Sequence, residues 1–135
     1  MAQLFKITFK VSQDAAENVS VSLVMPDGSD GSKVIVKYAD YVQWGFPTDK
    51  GIVQGDVYLK CASPFVTGQI HYKWVAASAD SPYVPVHPEC IKCPDQAKQQ
   101  KFGYTFCLTV RRNPARPNDF VSIAGDGWLE IDATR

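Results

Sequence analysis

Histidine is scarce in this chain and neither charge is in surplus. There are two histidines among 135 residues, and fourteen Lys plus Arg are balanced by fourteen Asp plus Glu. Nucleic-acid binding depends on an excess of basic residues to neutralise phosphates, so with zero net charge no nucleic-acid partner is expected. The single basic cluster, Arg111, Arg112 and Arg116, falls in a loop and reads as a solvated turn. A Gly-x-Ser-x-Gly elbow, a phosphate-cradling glycine loop and a His-Glu-x-x-His pair are all missing. No nucleophile can be matched with a base, so the chain reads as a non-enzyme with no cofactor. No apolar run approaches the roughly 20 residues that a membrane-crossing helix requires, and no helical stripe is long enough to build a helical domain. Lys6 and Lys10 interrupt the first apolar positions, unlike a secretory leader. Cytoplasmic (leaderless) synthesis and a mature secreted form both remain open.

What the chain does have is alternation. Period-two swapping of apolar and polar residues places successive side chains on opposite faces of a strand. Phe5, Ile7, Phe9 and Val11 face one way and Lys6, Thr8 and Lys10 the other. Val19, Val21 and Leu23 repeat the pattern, and Lys33 to Tyr38 forms a third strand. Val57, Leu59 and Cys61 share a face, Ile70, Tyr72 and Trp74 alternate with His71 and Lys73 over Thr67 to Ala76, and Tyr104, Phe106, Leu108 and Val110 point inward. Met25-Pro26-Asp27-Gly28, Asp49-Lys50-Gly51 and Ala124-Gly125-Asp126-Gly127 read as turns, since Pro presets the first turn position and Gly accepts positive φ. The expectation is one all-β domain over residues 1–135: an antiparallel β-sandwich, or an open barrel, of about eight short strands. Ala77 to Lys101 breaks the rhythm as a long loop holding Pro82, Pro85, Pro88 and Pro94, with a short helix over Asp95 to Gln100.

Two features carry candidate chemistry. His87-Pro88-Glu89-Cys90-Ile91-Lys92-Cys93 has the Cys-x-x-Cys spacing of a zinc site, with Cys107 or Cys61 able to complete the set. The leading expectation for the same cysteines is disulfides that pin the loop against the sheet, with free thiols or the zinc site as alternatives. Parity sends Cys107 outward and Cys61 inward, which favours a bridge from either strand to the loop over one between the strands. Asn18-Val19-Ser20 matches a glycosylation acceptor.

The second feature is the placement of aromatics. Tyr38 to Phe46 packs four aromatic residues around Asp40 and Gln43, and Trp128 follows the acidic glycine turn at Asp126. An aromatic face beside a few placed polar groups suits sugar recognition. The chain therefore reads as a lectin-like carbohydrate-binding module for a glycan or glycoprotein, with Asp40, Gln43, Trp44, Asp126 and Trp128 as ligand-binding candidates. Two alternatives use the same features. A membrane-active, toxin-like β protein would insert the aromatics into lipid, and a self-assembling subunit, a homo-oligomer, would pair its strand edges.

Overall fold

The computed structural model describes residues 2–45, 51–60, 62–75, 89–91, 99–113 and 115–132, without the side chains of 99 and 100. It is all-β, with no helix among the described residues. Among the described residues nine strands form: β1 (Leu4–Gln13), β2 (Val19–Val24), β3 (Lys33–Val36), β4 (Tyr41–Gly45), β5 (Ile52–Leu59), β6 (His71–Val75), β7 (Glu89–Cys90), β8 (Gln99–Arg111) and β9 (Phe120–Asp132). They make a four-stranded sheet, β2-β1-β4-β7, and a five-stranded sheet, β3-β9-β8-β5-β6, and neither closes into a barrel.

Both sheets are mixed, which departs from the antiparallel expectation. β1 pairs parallel with β4, and β3 pairs parallel with β9. Parallel neighbours need a long connection rather than a hairpin. Here the chain leaves β1 and β2, visits the other sheet as β3, and returns as β4 beside β1.

The inner faces share one core. Phe9 of β1 meets Phe106 of β8 at 5.0 Å between ring centroids. Trp44 of β4 is fully buried and packs edge-on against Tyr104 and Phe65, at 5.2 and 5.9 Å. Ile7, Val57, Leu108, Val110 and Leu129 complete the interior. The inward set read from β8 is buried as expected: Tyr104, Phe106, Leu108 and Val110.

Four local readings change. Ala124 to Gly127 is not a turn, because β9 runs unbroken through it. Gly125 lies opposite Phe106, and Gly127 opposite Tyr104. The glycines are there so that two rings can lie on the neighbouring strand. Tyr41–Gly45, which does not alternate, is nonetheless a strand. Val42, Gln43, Trp44 and Gly45 are all buried, so no polar face marks it. The third strand ends at Val36, where Lys37 to Asp40 makes a tight turn closed by an Asp40 N–H to Lys37 carbonyl bond of 3.1 Å, with Ala39 at φ 71°. Finally, Gln99 and Gln100 belong to β8 rather than to a helix. Residues 95–98, most of the proline-rich stretch, Phe46 and the turn residues Asp49 and Lys50 lie outside the described residues.

Candidate functional site

The five sequence candidates separate into two places. Asp40, Gln43 and Trp44 belong to the interior rather than to a ligand surface. Asp40 is 6% exposed, and its two carboxylate oxygens accept the backbone N–H of Gln3 at 3.0 Å and of Lys37 at 2.9 Å. It pins Gln3 to the β3–β4 turn, a structural use that engages both of its oxygens. Gln43 is 8% exposed and engaged within the protein. Trp44 is a core plug, with neither ring face reaching solvent.

Asp126 and Trp128 both point outward from β9, on the face of the five-stranded sheet away from the core. Cross-strand register extends this face sideways. Asp126 lies opposite Thr105, Thr105 opposite Tyr58, and Tyr58 opposite His71. The four side chains form one row across four strands, spanning roughly 14 Å at the usual strand spacing. Tyr58 and His71 stack face to face, with centroids 4.0 Å apart and planes 7° from parallel. His71 Nε2 also meets Asp56 Oδ1 at 2.9 Å, and Asp56 receives a further bond from the Gln54 side-chain amide at 3.3 Å. Lys60 pairs with Asp126 at 3.1 Å, in a solvent-exposed contact.

Trp128 sits one pair-row away, opposite Gly103. Gly103 has no side chain, and the Lys60 stem runs beside it, its Cδ 3.5 Å from where a Cβ would stand. The Lys33 and Lys101 ammonium groups lie 4.7 and 4.5 Å from its ring centroid, within cation–π range. The surface therefore carries an aromatic at each of two corners, carboxylates at Asp56 and Asp126, and lysines around the indole.

Alternation in the sequence places His71 on the face opposite Tyr72 and Trp74 and gives no reason to single out Tyr58. Nothing local marks either one. Their stacking exists only because β5 and β6 pair in this register.

The geometry also bears on catalysis and metals. Cys107 lies opposite Asp56 on the same face, with His71 on Asp56's other side. A nucleophile–histidine–acid relay needs the histidine in the middle, and here the acid is. Cys107 and Cys90 carry free thiols, so the disulfide reading does not hold for these two. Cys107 faces out from the five-stranded sheet, while Cys90 sits in β7 of the other sheet. His87, Cys93 and Cys61 lie outside the described residues, and no cluster of three metal-ligating side chains forms among those described. Asn18 closes a turn in which its side-chain amide donates to Asp14 at 3.1 Å.

No protein-family model matches this chain, and no curated protein matches it in sequence.

Proposed function

We propose that the protein is a non-enzymatic, sandwich-like binding module whose outer five-stranded face takes a carbohydrate bearing carboxylate or sulfate groups. The observation that carries this reading is the joint placement of Trp128, Asp126 and the stacked Tyr58–His71 pair on one exposed face. An indole and a phenol separated by roughly 12 Å, two strand spacings and one pair-row apart, provide two apolar contacts for an extended chain of sugar rings. Asp56, Asp126 and Thr105 between them supply hydroxyl partners. The lysines around Trp128 select the sugar class: a neutral pyranose competes with two ammonium groups for the indole, whereas an anionic one pairs with them.

The test is a glycan array carrying neutral, carboxylated and sulfated sugars, probed with the native protein and with Trp128→Ala, Tyr58→Ala and Trp44→Phe. Retention of anionic glycans, weakened about tenfold or more by Trp128→Ala and unchanged in a folded Trp44→Phe variant, supports the reading. Failure to retain any glycan, binding indifferent to both surface variants, or equal binding to bare phospholipid vesicles would each overturn it.

A further inference from the structure

β3 is an edge strand of only four residues, and its hydrogen-bonding groups divide sharply between two sides. The Trp128 N–H donates to the Ser32 carbonyl at 2.8 Å. In the slanted ladder of a parallel pair, this phase, with Lys33 opposite Trp128 and Ile35 opposite Glu130, commits Val34 and Val36 to β9. The N–H and C=O of Lys33 and Ile35 therefore point the other way. Among the described residues no strand meets them.

Those groups open onto a cleft at the corner between the two sheets. It consists of adjoining hollows of about 400 and 410 Å³ that share Phe5 and Ile35 in their walls. Phe5 and Met25, both partly buried against the core, form its floor. On the β1 side, β2 ends at Val24 opposite Thr8, so among the described residues β1 from Leu4 to Ile7 has no strand partner facing the cleft. The cleft is lined by β3 residues from Lys33 to Ile35 and by Lys37, and has an apolar floor and backbone donors and acceptors that no strand among the described residues takes up, which are the requirements of a slot for one more strand.

The outward side chains say what kind of strand fits. Lys33, Ile35 and Lys37 alternate along the edge, and Ile35 is 59% exposed. An antiparallel copy of β3 centred on Ile35 would set Lys33 against Lys37 at both ends, and like charges directly opposite one another are destabilising. A second copy is thus disfavoured, in keeping with the use of edge lysines against self-pairing. Asp27 and Asp30 line the hollow beside Lys33, and Asp40 lines the one beside Lys37; these carboxylates repel acids elsewhere in the cleft, so acidic positions are confined to those directly opposite the two lysines.

We infer that this cleft accepts an extended segment of another protein as a sixth strand on β3. The segment carries acidic residues opposite Lys33 and Lys37, an apolar residue opposite Ile35, and small apolar residues facing Phe5 and Met25. The slot adjoins the outer-face surface and shares Lys33 with it, but it is argued from the backbone edge of β3 and does not rest on the sugar reading.

A capped peptide, Thr-Glu-Val-Leu-Val-Glu-Thr, places glutamates against both lysines with leucine between them, and serves as the probe. Titrated into the isotope-labelled protein at up to about 1 mM, it is expected to bind saturably and shift the amides of residues 33–37. Replacing both glutamates with lysine is expected to weaken binding about tenfold or more. Ile35→Pro deletes the outward N–H while sparing the β9 ladder, and proline is tolerated on edges of this kind; it is expected to abolish binding. Lys33→Glu with Lys37→Glu, which leaves the backbone alone, is expected to invert the preference between the two peptides. No shift in wild type, shifts centred away from β3, or equal binding by both peptides would overturn the inference. So would a concentration-dependent dimer that protects the same amides, since the occupant would then be a second copy.

Discussion

Tyr104 lies flat across Gly127 on the neighbouring strand. A Cβ built at Gly127 would stand 2.5 Å from both the ring's Cζ and its hydroxyl oxygen. The same relation recurs one pair along, where Phe106 covers Gly125, again with 2.5 Å to the nearest ring carbon. Aromatic rings seated on cross-strand glycines are a known way to restore packing that glycine forfeits in a sheet.

Gly127→Ala should therefore destabilise the fold by about 1–3 kcal/mol, the usual cost of forcing an extra methyl into a filled site. Paired with Tyr104→Leu, the two losses should sum to less than their separate values, because the ring responsible for the clash is gone. Urea unfolding of the four members of this cycle measures it. Additive losses would mean that the ring and the glycine are not coupled.

Asp40→Ala should cost about 2–3 kcal/mol, since the two backbone N–H groups it serves lose their acceptor in a nearly closed site. Denaturant midpoints report the loss. The folded fraction should bind glycans as the wild type does, which separates this structural carboxylate from the outer-face acids.

Burial pushes the Tyr104 phenol up to about 12, with the nearby Trp44 indole N–H working the other way. Neither the Tyr104 hydroxyl nor the Trp44 indole N–H has a well-formed hydrogen-bond partner among the described residues. A phenol whose folded pKa exceeds its unfolded value of 10.0 adds stability that is fully present below pH 10 and is lost as pH rises toward about 12. Tyr104→Phe should flatten that alkaline decline, as read from unfolding curves across this range. At neutral pH it should be near neutral or stabilising, since it removes a buried hydroxyl without a partner.

The loop joining β8 to β9 should respond to acid. Hydrogen bonds from Arg112, then from Arg116, hold the Asp119 carboxyl below its ordinary 3.8. Arg112 approaches Asp119 at 2.7 Å, and Arg116 bonds to both Asp119 and Glu17. A depressed carboxylate contributes stability that is present above its unfolded pKa and lost as pH falls through the folded one. The protection of amides in residues 112–119, corrected for intrinsic exchange, should therefore fall below about pH 4, and Asp119→Asn should show the lower protection already at neutral pH.

Cys107 should alkylate in the native protein, because its thiol is exposed on the outer face. A bulky adduct there sits opposite Asp56 and should weaken glycan retention. Peptide mass mapping after brief labelling locates the modified residue.

Where burial is one-sided, the strands could be read directly. The β8 residues from Tyr104 to Val110 alternate between core and solvent, so their facing follows from composition alone. β4 escaped because it is enclosed on both sides at Val42, Gln43 and Trp44, and alternation vanishes when both faces are dry. The glycines of β9 misled for a related reason: a glycine making room for a cross-strand ring is spelled like one making a turn. Half of the candidate surface, Asp126 and Trp128, was visible as an aromatic beside an acid. The other half was not, since Tyr58 and His71 become neighbours only through pairing.

Local chemistry was enough to establish that this chain forms strands, that it has no charge surplus for nucleic acid, and which way most side chains of β1, β6 and β8 point. Period two is a property of each segment alone, and it survives whatever the segment packs against. Which strands lie side by side, which of them run parallel, and which edge stays open were decided in three dimensions. Register is a relation between distant segments, set by how two inner faces interlock, and no single segment contains it.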